Sequence, residues 1–313
     1  MGSVLVSFWS LIAVMVVGYL LARYGITRPG ADKALTRIAF AGAMPSLLFN
    51  TVAHSNPAEV FSASAATNVL SACVLVVIYT VVARTVFKMR GGEVTIGALC
   101  ASYTNAGNLG VAFLTAVAGD ASVAAPIIVF QLCVMVPVSF AILDRQTGKR
   151  GRSLWRTILA PFTAPPVVGV LLGLVFAATG WSIPAVVSAP VDILAAAAVP
   201  MVLIAMGISW RGAHIPRLRR ESAPLYFAVF LRCIVGPLLT FGFGVLFGLS
   251  GAVLMAVTIA GAFPVANNVF TYAHRYDVGV ELSRDANIIS TILSLGVTLL
   301  IAFVFHAQGG VSV

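Results

Sequence analysis

Four asparagines are the polar side chains best spaced to bind something: Asn105 and Asn108, three residues apart, and Asn267 and Asn268, adjacent. Each pair sits in an otherwise apolar run beside residues that disfavour a helix interior, Gly107 and Gly110 in the first and Pro264 in the second. Amides carry no charge, so they do neither acid–base nor nucleophilic work; they donate and accept hydrogen bonds. Where Gly or Pro breaks a helix, the next half-helix starts at the break with unpaired N–H groups and the positive end of its dipole. Two such ends plus amide side chains form an anion site without any formal charge. A single Asn is more simply explained as an interhelical hydrogen bond; four at two breaks favour a binding site.

Other residues in apolar runs are weighed the same way. Arg232 is mid-run, where a charge costs ~2.5–3.5 kcal/mol; it is expected to snorkel towards the cytosol, or else to draw an anion into an inner cavity. Gln131 is expected to bond across helices rather than hold an ion, and Asp192 to be interfacial. Pro45 and Pro200 either kink a cavity wall or serve packing. The chain lacks HExxH, GxSxG and P-loop patterns, so protease, esterase and ATP-driven pump readings lose their parts. No enzyme activity, cofactor or metal site is expected. A midmembrane Asp pair, as a cation–proton antiporter of similar plan would use, is also missing.

The elements that must position these residues are membrane spans. The chain of 313 residues is 60% hydrophobic and 9% charged, with mean hydropathy +1.02, outside the soluble range. Ten apolar runs, at 3–24, 34–53, 64–88, 93–118, 121–143, 157–179, 188–209, 222–248, 251–274 and 284–305, approach or exceed the ~20 residues a helix needs to cross hydrocarbon. Of 19 Lys and Arg, all but Arg232 fall in the odd-numbered connections or at the span ends beside them. That strict alternation predicts cytosolic odd loops and both termini outside the cytosol of an inner (cytoplasmic) membrane. It also accounts for the net charge of +9 without nucleic acid. The first run is too long for a signal-peptide core and reads as a retained helix. Cys73, Cys100, Cys133 and Cys233 all lie within spans and read as buried small hydrophobes.

A basic linker at 144–156 divides the chain into five spans (1–143) and five more (157–313). Ala43-Met44-Pro45 corresponds to Ala198-Val199-Pro200, and Asn105 to Asn108 corresponds to Pro264 to Asn268. Pro45 and Pro200 are 155 residues apart, Asn108 and Asn267 159. An odd number of spans per half turns the second half upside down, the inverted-repeat plan of secondary transporters. The expected fold is therefore all-α, ten transmembrane helices in two inverted five-helix repeats, with spans four and nine broken and crossed near the midplane.

These stretches carry a resemblance. Gly18 to Arg23, Ala43 to Phe49, Asn105 to Gly110, Ala198 to Gly207, Pro264 to Asn268 with Ala273 to Tyr276, and Ser290 to Ser294 together resemble bacterial members of the auxin efflux carrier family, relatives of malate and malonate permeases. The resemblance implies a scaffold of spans one, two, six and seven. It also implies an elevator-like transport domain of spans three to five and eight to ten, and carriage of organic anions. It places Asn105 and Asn108 on the first crossover and Pro264, Asn267 and Asn268 on the second. The first crossover has Asn105 where its partner has Pro264, which leaves the sharpness of that break open. The function expected is a secondary carrier of a small carboxylate anion in a lipid bilayer, with a proton, sodium or no coupling ion and homodimerisation left open. The alternatives are a sodium-coupled symporter of the bile-acid type and a non-transporting membrane receptor or scaffold.

Overall fold

The computed structural model describes residues 2–54, 63–118, 123–147, 165–211 and 222–307. They are helical almost throughout, with a single pair of bridged extended residues among them. In lipid a helix satisfies its own backbone groups, and apolar residues all round it cost nothing, which is why these runs fold as helices without amphipathic patterning. Five are long and apolar enough to cross a membrane: α3 (Ala63–Thr85), α6 (Ala124–Thr147), α8 (Ala185–Ser209), α9 (Ala223–Leu246) and α12 (Val280–Ala307). The others are α1 (Gly2–Arg23), α2 (31–53), α4 (Gly92–Ser102), α5 (Val111–Ala118), α7 (Pro165–Thr179), α10 (Gly251–Gly261) and α11 (Asn267–Tyr276). Large apolar side chains face outward, Val186 86% and Leu246 73% exposed, as lipid-facing surfaces require.

The apolar runs at 93–118 and 251–274 are interrupted. The first gives α4, a wide turn over Ala106–Gly110 and α5; the second gives α10 and α11. Wide turns of the same kind lie inside α2 (Ala39–Ala43), α6 (Gln131–Met135) and α9 (Leu231–Val235), each inserting an extra residue that re-aims the side chains after it. Helix α6 runs on through Thr147, so residues 144–147 are helical; Tyr276 donates to Asp144 at 2.8 Å. Residues 148–156 of the linker lie outside the described residues.

The chain divides into two compact units, one of residues 1–62, 107–128 and 161–214, the other of 63–106, 129–160 and 215–313. In the first, α1 packs on α8 and α7 on the second half of α2. Both crossings bring backbones together at glycine. A Cβ on Gly18 would overlap the Ile204 carbonyl, one on Gly207 the Met15 carbonyl, and one on Gly173 would stand 2.9 Å from the Phe49 carbonyl oxygen. Small residues at helix crossings are how membrane helices gain packing when no hydrophobic drive separates protein from lipid.

In the second unit α3 packs on α4, and the latter half of α9 on α10 and α3. Its core contains Tyr79, Tyr103, Leu75, Ile96 and Val269. Polar side chains are buried here too: Thr67 and Ser71 on α3, and Ser283, Ser290, Thr291, Ser294 and Thr298 on α12. Most return a hydrogen bond to a carbonyl on their own helix, Thr67 to Ala63 at 2.7 Å and Ser71 to Thr67 at 2.8 Å. Of the cysteines, Cys100 and Cys233 are buried as expected and Cys133 partly so, but Cys73 lies on the outer face of α3. A small apolar thiol is stable on a lipid-facing surface, so membership of a span did not imply burial.

Candidate functional site

In the second unit α4 ends at Ser102, and Tyr103 turns extended (φ −87°, ψ 107°). Helix α10 ends at Gly261; Pro264 has no N–H to extend it, and Ala266 is extended (φ −72°, ψ 143°) before α11 begins at Asn267. The two extended segments pair antiparallel, Thr104 opposite Val265. Asn105 N–H donates to the Pro264 carbonyl at 2.8 Å, and Ala266 N–H to the Tyr103 carbonyl at 3.2 Å. Each break therefore supplies partners for the other's freed backbone groups, which hydrocarbon cannot solvate.

Side chains bond most of what remains. Val265 N–H donates to Ser290 Oγ at 3.0 Å, and Asn287 Nδ2 donates to the Val265 carbonyl at 2.6 Å. Gln131 Nε2 donates to Thr104 Oγ1 at 2.6 Å, an interhelical bond. Arg232 donates through Nη1 to the Ser102 carbonyl at 3.1 Å and through Nη2 to the Gly261 carbonyl. At 2% exposure it does not snorkel. The wide turn over Leu231–Val235 and the carbonyl ends of α4 and α10 give the guanidinium partners inside the protein, which corrects the sequence expectation.

The buried Asn105 amide and the start of α11 remain. Asn105 is 3% exposed, and its Nδ2 has no hydrogen-bond partner. Helix α11 opens without a side-chain cap; Asn267 at its start is exposed and Asn268 half-buried. Asn268 and Tyr272 both hydrogen-bond the Tyr103 hydroxyl. An uncapped helix start, exposed amides and an orphaned buried amide can together hold an anion through N–H donors.

Not every expected residue belongs to this unit. Asn108, described by its backbone alone, falls with Gly107 and Gly110 on the wide turn that the first unit includes from residue 107 onwards. That break is real and the chain resumes as a wide turn over Ala106–Gly110, whereas the second break, with Pro264, resumes as an α-helix at Asn267. Gly110 is buried, and a Cβ on Gly107 would stand 3.8 Å from Ile128. Pro45 is half-buried against Gly169, and Pro200 is exposed within α8. Asn287 was missed by sequence reasoning; the signal was the recurrence of Ser283, Asn287, Ser290, Ser294 and Thr298 at helical spacing on one face of α12. The first unit has its own cavity of about 380 Å³, lined by Leu11, Leu47, Asn50, Asp192 and Val199 among others. There Asn50 Nδ2 donates to Asp192 Oδ1 at 2.5 Å.

A family model described as membrane transport protein matches residues 3–150 and 149–302. The uncharacterized transporter YfdV of Escherichia coli (strain K12) is 24% identical over 297 residues, covering 92% of this chain and 93% of that protein. Probable auxin efflux carrier components 1b and 1d of Oryza sativa subsp. japonica are 27% identical over 148 residues, 47% of this chain and 26% of each plant protein.

Proposed function

Because the chain belongs to the membrane transport protein family, that of the auxin efflux carriers, we propose that it is a secondary carrier of small organic carboxylate anions. As a family member it is a multi-pass membrane transporter. The substrate is held at the paired breaks, its carboxylate taken by Asn105, Asn267 and Asn268 and by the N–H groups that open α11. The observation that carries this reading is the orphaned Asn105 Nδ2, buried beside the backbone pairing of Asn105 with Pro264 and of Ala266 with Tyr103. A buried donor without a partner costs about 1–3 kcal/mol, a cost an arriving carboxylate removes. Two or three charge-assisted bonds of about 1.5–3 kcal/mol each correspond to millimolar to micromolar affinity, weak enough for release on the far side. The plant relatives' names add auxin, an indole carboxylate, to the candidates.

The architecture we propose is ten spans in two inverted repeats, with both termini outside the cytosol of an inner membrane. A shift of 155 residues that carries Pro45 to Pro200 also carries Gly18 to Gly173 and Phe49 to Ile204. Gly18 meets the Ile204 carbonyl and Gly173 the Phe49 carbonyl, so one contact recurs with the halves exchanged, as two-fold repeats require. The unit that contains α1, α2, α7 and α8 is the scaffold. The unit with α3, α4, α9 to α12 and most of α6 carries the substrate.

The test is uptake of labelled malate, malonate and indole-3-acetate into proteoliposomes under separate voltage, pH and sodium gradients. Saturable uptake of at least one anion is expected, with a loss of at least about tenfold, roughly 1.4 kcal/mol, in Asn267→Ala and Asn268→Ala. Near-normal transport by both variants would remove the site from this reading.

A further inference from the structure

Arg232 poses a problem of charge. It is buried at 2% exposure, and among the described residues the only ion pair is Arg284 with Asp285. Its partners are neutral carbonyls, Ser102 and Gly261, and its Nε has none. An uncompensated buried cation is not sustainable, so those carbonyls must supply the compensation. They can, because Ser102 is the last residue of α4 and Gly261 the last of α10. A helix end carries about −0.5 elementary charge, and two ends together balance one guanidinium.

The surroundings are shaped for it. The wide turn of α9 begins one residue before Arg232 and re-aims it. Gly236 follows: a Cβ there would stand 2.6 Å from the guanidinium Nη2 and 2.6 Å from the Gly261 carbonyl oxygen. Gly261 in turn packs where a Cβ would overlap the Thr240 side chain. Two glycines thus admit the guanidinium and the end of α10 to one place. Two convergent carbonyl ends without a carboxylate are what a desolvated monovalent cation would seek, and here a side chain is already present.

We propose that Arg232 is a tethered cation. It fills the cation site made by the C-terminal ends of α4 and α10, so this protein needs no sodium or other monovalent cation bound at the paired breaks. With the negative ends neutralised, the start of α11 and the Asn donors are left as the uncompensated, anion-seeking side. This last point, and the sodium independence of transport, rest on the carrier reading above; occupancy of the site by Arg232 does not.

The experiment compares full-length wild type, Arg232→Lys and Arg232→Gln. Lysine keeps the charge and loses the two-carbonyl span, whereas glutamine keeps a hydrogen-bond donor and loses the charge. Unfolding midpoints of purified protein are read in sodium, lithium and choline chloride at equal ionic strength, and with millimolar guanidinium added. Wild type and Arg232→Lys are expected to give the same midpoint in sodium as in choline. Arg232→Gln is expected to melt about 5–10 °C lower in choline and to recover at least half of that in sodium or guanidinium. A merely structural role predicts a loss in Arg232→Gln that is equal in every salt, and that result would overturn the proposal, as would a sodium-raised midpoint in wild type. If Arg232→Gln does not fold, Arg232→Lys decides: folded and indifferent to the cation upholds it, unfolded or sodium-responsive overturns it. Anion uptake in the same preparations is a separate readout, and its absence in wild type would sink the carrier reading while the salt series still judges Arg232.

Discussion

Asn105 differs from its neighbours in its side chain. Its backbone N–H holds the Pro264 carbonyl, yet its side-chain Nδ2 is buried and unbonded. Replacement by the similarly sized Leu removes the orphaned donor and keeps the backbone pairing. Asn105→Leu should therefore unfold at or slightly above the wild-type temperature, while the KM for the transported anion rises at least about tenfold. A lower melting temperature with unchanged KM would mark the residue as structural. Arg232 shows the limit of reading residues singly. In sequence it is one cation in an apolar run, for which snorkelling is the cheapest outcome. Its actual partners are carbonyls 130 and 29 residues away, which no local pattern encodes. Asn287 is the converse case: its spacing with Ser283, Ser290 and Ser294 was visible, but only folding aims it at Val265.

At the scale of elements, broken helices were legible because Gly and Pro act locally. The Pro264 break needs only a missing N–H and a blocked turn; the break before Asn105 has no proline and depends on the pairing with Val265. Close helix crossings were legible only as glycines, since the residue each one faces is set by packing. If Gly18 with Ile204 and Gly173 with Phe49 are one contact used twice, the two glycines should respond alike. Gly18→Val and Gly173→Val are each expected to lose about 1–3 kcal/mol and to lower the melting temperature by roughly 3–10 °C in detergent. A large loss at one position and none at the other would mean that the two crossings are unrelated.

For the whole molecule, the charge alternation makes an orientation that labelling can check. In a cysteine-free background, Ser3→Cys should react with an impermeant maleimide added outside intact cells, and Ser153→Cys only after the inner face is opened. The reverse pattern would invert the topology. The sequence by itself determined membrane residence, the presence of long apolar helices and the two helix breaks. Those depend on hydropathy over about 20 residues and on the backbone chemistry of Gly and Pro, both properties of contiguous chain. Tertiary structure alone decided where the polar groups go: that Thr104 pairs with Val265, that Arg232 closes two helix ends, and that Asn105 Nδ2 is left unpaired. The physical reason is that hydrocarbon offers a polar group no alternative partner, so each must find one across the fold. The identity of that partner depends on which distant segments meet.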